Sequence, residues 1–130
     1  MGTDQVPDEL RYTQDHEWLR VEGDEAVVGI TAYAASELGD VVFVELPATG
    51  ASMQARQSFG VIESVKTASD LYCPVAGEVV AVNDALSGRP ELVNEDPYGE
   101  GWMIRLRMDD PRAAAELLAP AAYSALTEAG

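Results

Sequence analysis

The stretch that decides the fold is Val61-Ile62-Glu63-Ser64-Val65-Lys66-Thr67-Ala68-Ser69-Asp70-Leu71-Tyr72-Cys73-Pro74, in which two apolar runs flank a short segment of small polar residues. This spacing is typical of a β-hairpin and places Lys66 at its tip. Lys66 is the only lysine of the chain, because the other seven basic residues are arginines. A chain that otherwise avoids lysine therefore places its one primary side-chain amine at a predicted turn.

This hairpin lies between two copies of a weak internal repeat. Residues 39–44 read Gly-Asp-Val-Val-Phe-Val and align with residues 77–82, Gly-Glu-Val-Val-Ala-Val, while Gly50 aligns with Gly88 at the same offset. Two β-rich halves that cannot each close a core predict a flattened barrel in which the halves pair about a pseudo-twofold axis. Chance similarity between two valine-rich strands is the alternative interpretation.

Farther out, the chain reads as mainly β with two helical segments. A short helix is expected near residues 32–38, where Gly39 can end it, and a C-terminal helical segment over 110–128. Asp110 can cap the latter, and Pro120 is expected to interrupt it. Short apolar runs bounded by turn residues predict strands at 26–30, 41–46, 59–65, 71–75, 78–82 and 102–108.

Length and composition narrow the function classes. We expect a single domain over residues 1–130, with residues 39–82 as the core around the hairpin and residues 1–10 flexible. The net charge of −15 would repel a phosphate backbone, so protein partners are expected and nucleic acid is not. No apolar run is long enough to span a membrane, and the N-terminus resembles no signal or transit peptide, so a cytoplasmic location is expected.

The chemistry open to Lys66 is amide formation. A lysine can lose its charge in an amide, which an arginine cannot do. A catalytic Schiff-base lysine would need desolvation or cationic neighbours, whereas Glu63 and Asp70 favour the ammonium form. The sequence therefore favours a lysine that another protein modifies, although a solvated lysine at a turn requires no special function.

Five separated motifs carry a family resemblance over nearly the whole chain. In order they read Tyr-Thr-Gln-Asp-His-Glu-Trp, Val-Gly-Ile-Thr, Leu-Gly-Asp-Val-Val-Phe-Val-Glu-Leu-Pro, Glu-Ser-Val-Lys-Thr-Ala-Ser-Asp and Leu-Val-Asn-Glu-Asp-Pro-Tyr-Gly-Glu-Gly-Trp-Met, at residues 12–18, 28–31, 38–47, 63–70 and 92–103. By these motifs the chain resembles the glycine cleavage system H proteins, which belong to the biotinyl/lipoyl attachment superfamily.

The resemblance implies a barrel-sandwich hybrid fold and lipoic acid in amide linkage to Lys66, as N6-lipoyl-lysine. It implies a non-catalytic carrier that takes an aminomethyl group from glycine decarboxylase (P protein) to aminomethyltransferase (T protein). Reducing equivalents would then pass to dihydrolipoyl dehydrogenase (L protein). Lipoate-attaching enzymes would be further partners.

The resemblance also implies residue roles around the arm. The positions that match the family's cleft for the arm and its aminomethyl group are Asp15, Glu17, Thr67 and Asp70, and Glu17 is the candidate for binding the protonated amine. The residues expected to be recognised during lipoylation are Glu63, Ser64 and Val65. His16 has no metal-binding partners in the sequence and is expected to be a packed or capping residue.

Three alternative functions stay open at this point. A biotin carrier shares the architecture but flanks its lysine with methionines, where this chain has Val65 and Thr67. A lipoyl-relay protein that serves other 2-oxoacid dehydrogenase complexes is not separated cleanly by sequence. An enzyme using Glu63, Lys66 and Asp70 as an acid/base set would need a pocket and turnover by the isolated chain.

Overall fold

Short runs of alternating apolar residues fold most of the chain into β-strands. The computed structural model describes residues 6–129, and within them nine strands and four α-helices follow one another. The strands are β1 (Arg11–Tyr12), β2 (Glu17–Glu22), β3 (Glu25–Ile30), β4 (Val41–Glu45), β5 (Ser52–Met53), β6 (Ser58–Ser64), β7 (Ala68–Tyr72), β8 (Gly77–Val82) and β9 (Ile104–Met108). The helices are α1 (Ala32–Leu38), α2 (Ala85–Gly88), α3 (Leu92–Glu95) and α4 (Pro120–Ala129).

The strands pair into two sheets, as expected for the mainly β fold. The larger sheet has the order β1-β2-β3-β9-β8-β5, and the smaller has the order β4-β6-β7. These pairings do not close into one continuous barrel, and a barrel-sandwich hybrid of two facing sheets describes the architecture. The apolar core between the sheets contains side chains from both, among them Leu19, Val28, Ile62, Leu71 and Leu106.

The two copies of the internal repeat lie in different sheets. The first forms β4 at the edge of the smaller sheet, and the second forms β8 inside the larger sheet. Each copy contains a β-bulge at the equivalent residue, because Val42 is skipped in the pairing of β4 with β6 and Val80 in the pairing of β8 with β9. Equivalent bulges at equivalent residues favour a true repeat over chance similarity.

The helices differ in part from the sequence expectation. Helix α1 has the predicted bounds; Thr31 caps it, and Gly39 follows it with a φ of 81°. In the C-terminal segment a 3-10 helix covers Pro111–Glu116, and the prediction that Pro120 interrupts a helix is wrong. Proline suits the first position of a helix because the N–H that it lacks has no partner there, so α4 begins at Pro120.

The N-terminal residues within the described range are packed against the body of the protein. Leu10 is buried and Val6 packs against the cluster of Leu10, Trp18 and Tyr123. The expectation that residues 1–10 are flexible falls partly outside the described residues, since these begin at residue 6. Among the described helices, none is long and apolar enough to cross a bilayer.

Candidate functional site

The hairpin of β6 and β7 carries Lys66 on the tight turn that joins the two strands. Ser64 closes this turn, because its backbone N–H donates to the carbonyl of Thr67 over 2.8 Å. The Ser64 hydroxyl oxygen also accepts the backbone N–H groups of Thr67 and Lys66, at 3.1 and 3.3 Å. The hairpin predicted from the sequence spacing is present, and a side chain inside its turn, that of Ser64, fixes the turn conformation.

The side chain of Lys66 projects from this turn into solvent. It is exposed, and among residues 6–129 its Nζ forms no hydrogen bond or ion pair. Its stem passes over Gly39, where a Cβ atom would lie 3.5 Å from Lys66 Cε. The amine is thus accessible to a second protein.

A short backbone segment supports the turn from below. We call residues 39–41 the strap; it runs from the end of α1 to the first residue of β4. Asp40 O of the strap accepts the backbone N–H of Val65 over 3.0 Å. The side chain of Asn94 in turn holds the strap on both sides of Asp40, since its Nδ2 donates to Gly39 O and its Oδ1 accepts from Val41 N, each at 2.8 Å.

Next to the strap, a surface cleft of about 320 Å³ opens between α1 and the hairpin. One wall consists of Tyr33, Ala34, Glu37 and Leu38 from α1, and the other of Ile62, Ser69, Asp70 and Leu71 from the hairpin. Asp15, His16 and Glu17, with Ile30, close its end. Leu38 of this lining immediately precedes Gly39, the residue over which the stem of Lys66 passes.

Glu17 is the buried carboxyl group of this cleft. The residue is only 2% exposed, and its carboxyl oxygens accept the Thr13 hydroxyl at 2.6 Å and the Tyr72 backbone N–H at 3.2 Å. Burial raises the pKa of Glu17 to about 7, and the two hydrogen bonds oppose this rise. A cation entering the cleft would favour the ionised form of Glu17.

The structure brings together most of the other predicted cleft residues. Asp15 and Asp70 line the same cleft as Glu17. Asp70 also accepts the hydroxyl of Ser58 over 3.3 Å. Thr67 is exposed on the turn itself, and is not among the residues that line the cleft. Three of the four expected positions therefore meet in one cavity.

The three residues expected in lipoylation recognition have different environments. Val65 is 70% exposed beside Lys66, and Glu63 is exposed on β6. Ser64 is buried, and its hydroxyl is engaged within the turn. Glu63 and Val65 are thus accessible to a partner, whereas Ser64 shapes the turn.

Comparison with known proteins agrees with this geometry. The family model described as glycine cleavage H-protein matches residues 10–130, which is nearly the whole chain. The chain belongs to the glycine cleavage H-protein family. The resemblance seen in the five sequence motifs is therefore confirmed.

Individual relatives of the H-protein family match over most of their length. The chain is 58% identical to the glycine cleavage system H protein of Magnetococcus marinus, over 95% of this chain and 88% of the relative. It is 54% identical to that of Symbiobacterium thermophilum, over 96% and 98%. The crystal structure of the H protein from Mycobacterium marinum superposes with a TM-score of 0.87 at 40% identity, covering 95% of this chain and 99% of the other.

Two residues of this H-protein family member were given no role by the sequence analysis. One is Asn94, which holds the strap. The other is Tyr123 of α4, whose hydroxyl lies 2.7 Å from both His16 Nδ1 and Thr31 Oγ1. Since Thr31 caps α1 and His16 lines the cleft, Tyr123 of α4 holds the end of the cleft at which α1 begins. No signal within the sequence pairs these residues, because their partners are more than fifty positions away.

Metal binding and thiol chemistry find little support among residues 6–129 of this H-protein family member. His16 is packed between the rings of Tyr33 and Tyr123, in keeping with the expected packed residue. Burial raises the pKa of the Cys73 thiol to about 12, so this thiol is a poor nucleophile. Within residues 6–129 no group of three or more His, Cys, Asp or Glu side chains is arranged to hold a metal ion.

Proposed function

We propose that the chain is the lipoyl-bearing carrier of the glycine cleavage system, with the lipoyl group in amide linkage to Lys66 Nζ. The single observation that carries the proposal is the exposure of the chain's only lysine on a rigid hairpin turn. Membership of the H-protein family supports it. A lipoate-attaching enzyme needs an amine that it can reach, and Lys66 meets this requirement.

The residues around Lys66 fit such an arm. The stem of Lys66 crosses Gly39, where no side chain obstructs it. The adjacent cleft combines apolar side chains such as Leu38, Ile62 and Leu71 with four carboxyl groups, those of Asp15, Glu17, Glu37 and Asp70. An arm with an apolar chain and a cationic cargo would find complementary surfaces for both parts.

A lipoyl group held by Lys66 would supply a disulfide that could accept an aminomethyl group from glycine decarboxylase, yield it to aminomethyltransferase and, as a dithiol, give two electrons to dihydrolipoyl dehydrogenase. The chain's own residues would present the arm to each enzyme, shelter its cargo between enzymes and release the arm again. The hairpin turn holds Nζ outside the cleft, where three different enzymes can approach it. A short tether then gives a local concentration on the order of millimolar at whichever enzyme is docked.

The carboxyl groups of the cleft favour a positively charged cargo. Glu17 is the strongest candidate, because it is buried and its position is fixed by Thr13 and Tyr72. Asp15 and Asp70 add negative charge at the rim. A protonated amine in the cleft would gain charge-assisted hydrogen bonds and would be kept from bulk water.

We assign the first contact with a lipoate-attaching enzyme to Glu63 and Val65, which are exposed on either side of the buried Ser64. The acid/base alternative has less support, because Lys66 stands on an exposed turn and not in a pocket. We therefore propose a non-catalytic role for the chain. No observation favours biotin or the relay function over the glycine cleavage role.

The modification itself is tested by mass. The intact protein from lipoate-replete cells should carry one lipoyl amide, and peptide mapping should place it on Lys66. Biotin at Lys66, or an unmodified chain, would contradict the proposal.

The role of the amine is tested by Lys66→Arg, which keeps the positive charge and removes the acylatable amine. We expect glycine cleavage by a reconstituted system to fall to background while the unfolding midpoint stays as in the wild type. Retained activity would contradict the carrier role.

A matched control tests whether the location of the lysine matters. Arg56 occupies another exposed turn, with a φ of 71°. The double variant Lys66→Arg, Arg56→Lys restores one exposed lysine at a different turn. It should stay unlipoylated and inactive; lipoylation at residue 56 would mean that any exposed lysine suffices.

A further inference from the structure

The turn that carries Lys66 is fastened to the rest of the protein beyond its own hairpin by a backbone hydrogen bond. Val65 N donates to Asp40 O over 3.0 Å, and Asp40 is the middle residue of the strap. Val65 is the immediate neighbour of Lys66, so a shift of the strap moves the turn. The position of the amine therefore depends on what holds the strap.

The strap is held by the amide group of Asn94. Nδ2 donates to Gly39 O at 2.8 Å and to Ala35 O at 3.4 Å, and Oδ1 accepts from Val41 N at 2.8 Å. One side chain thus binds the last turn of α1 and both neighbours of Asp40. An Asn amide satisfies this set because it donates and accepts at once.

The strap also contacts the side-chain stem of Lys66, through Gly39. Its φ of 81° and ψ of −156° lie in a region that only glycine adopts without strain, and Lys66 Cε passes above it. This conformation aims Gly39 O at Asn94. If the strap changed conformation, Lys66 would lose the contact of its stem with Gly39, and Val65 N would lose its acceptor, Asp40 O.

We infer that Asn94 is a positioning residue for Lys66, which sets the orientation of the hairpin turn toward the enzymes that modify and use its amine. The inference rests on the proposed function for its consequence, namely efficient attachment and use of the arm. The physical coupling from Asn94 through the strap to Val65 can be measured without it.

The chain contains a matched control. Asn83 has the same chemistry at a different place: its Nδ2 donates to Glu100 O and Trp102 O, both at 2.8 Å, and its Oδ1 accepts from Ala85 N at 3.2 Å. None of these partners belongs to the strap or the hairpin. Asn83→Ala therefore removes three comparable hydrogen bonds and leaves the contacts of the Lys66 turn in place.

The first measurement is amide hydrogen exchange in Asn94→Ala and Asn83→Ala, both as full chains. In Asn94→Ala we expect exchange at Val41 and Val65 to accelerate roughly five- to tenfold, because Val41 N–H loses its acceptor and the strap loses the donor that holds Gly39 O. Asn83→Ala should accelerate exchange near residues 83–85 and leave Val65 unchanged. An unchanged rate at Val65 in Asn94→Ala would overturn the inference.

The second measurement is the rate of lipoyl attachment by a purified lipoate-attaching enzyme with an activated lipoyl donor. Asn94→Ala should reduce kcat/KM roughly three- to tenfold through misplacement of the amine. Asn83→Ala should keep the wild-type value, although both variants lose similar stability. Equal losses in both variants would show a general stability effect and overturn the positioning role.

Asn94→Asp separates the two halves of the amide. The carboxylate can still accept from Val41 N but cannot donate to Gly39 O or Ala35 O. Attachment should be slowed as in Asn94→Ala, and wild-type kinetics would contradict the inference. If the wild-type chain accepts no lipoyl group at all, the proposed function fails, while hydrogen exchange at Val65 still decides the positioning.

Discussion

The two copies of the internal repeat share a sequence pattern and a bulge position but have opposite environments. In β4, Val42 and Phe43 are exposed, because this strand pairs only with β6 at the edge of the smaller sheet. In β8, the equivalent Val80 and Ala81 are partly buried, since this strand lies between β9 and β5. The first copy therefore lies at a sheet edge beside the lysine turn and the second lies inside the larger sheet, although each contributes a buried valine, Val41 or Val79, to the core.

The glycines that begin the two copies show the difference most clearly. Gly77 lies against the backbone of β9, where a Cβ atom would be 2.5 Å from Arg107 O. At Gly39 such a Cβ would make only an ordinary van der Waals contact, with Lys66 Cε at 3.5 Å. Gly77 is required because the backbone of β9 lies against it, and Gly39 is required because its backbone conformation is unusual. The same residue in the same pattern thus meets two separate physical demands.

The largest expected effect comes from Gly77→Ala. Because the added methyl group meets backbone and not a flexible side chain, β8 and β9 must separate, and we expect the free energy of unfolding to fall by about 3 kcal/mol or more. Gly39→Ala should cost roughly 1–2 kcal/mol through its strained φ and ψ. Urea unfolding of both variants gives the comparison.

The order of these two losses is the decisive result. If Gly39→Ala destabilises the chain more than Gly77→Ala, the interior and edge assignments of the two copies are wrong. A Gly39→Ala chain that folds should also show slower lipoyl attachment at Lys66, whereas no such effect is expected from an interior change that leaves the strap intact.

The second-largest effect is a pH dependence of the unfolding free energy, and it comes from Glu17, which connects the two sheets that contain the repeat copies. Glu17 belongs to β2 of the larger sheet and accepts Tyr72 N of β7 in the smaller one. Its folded-state pKa of about 7 exceeds the ordinary value of 4.5, so the folded state binds more protons between these limits. The stabilisation is complete below about pH 4.5 and is lost as pH rises through 7, by roughly 2–3 kcal/mol between pH 5 and 8.

Glu17→Gln should abolish this pH dependence, because a glutamine side chain does not titrate. Its carbonyl oxygen can still accept from Tyr72 N, so the contact between the sheets is kept. The measurement is the difference in unfolding free energy between wild type and variant at pH 5 and pH 8. The exposed substitution Glu63→Gln is the control for the loss of one carboxylate charge. A wild-type slope in Glu17→Gln would show that another group titrates.

The smallest effect is expected at the two bulges. Val42 is 52% exposed, so Val42→Ala should change the unfolding free energy by less than about 0.5 kcal/mol. Val80→Ala, at the partly buried equivalent, should cost about 1 kcal/mol. Equal costs in thermal or urea unfolding would mean that the two bulges are not in different environments.

Much of this arrangement could be predicted from local sequence. The hairpin around Lys66, helix α1 and its end at Gly39, and the two repeat strands all follow from signals that lie within ten residues of one another. The family resemblance then identified Glu17, Asp15 and Asp70, which the fold brings to one cleft. Local patterns suffice wherever the partners are neighbours in the chain.

What escaped prediction depends on distant partners. Strand β2 was missed because Glu17 and Trp18 at its start are both buried, which hides the usual alternation. The role of Asn94 requires Gly39 and Val41, which come near only after α1 and α3 pack. Helix α4 begins at Pro120 because the chain turns there after the 3-10 helix, and the proline alone suggested an interruption.

The hydroxyl of Tyr123 makes the cleft depend on the C-terminal helix, and therefore sensitive to proteolysis of that helix. It belongs to the last helix, yet it secures His16 and Thr31 at the cleft. A molecule that lost α4 through proteolysis after β9 would keep the Lys66 turn, but its cleft would lose the phenol hydroxyl that contacts His16 and Thr31. Under the proposed carrier function, such a molecule could accept a lipoyl group and yet shelter its cargo less well than the intact chain.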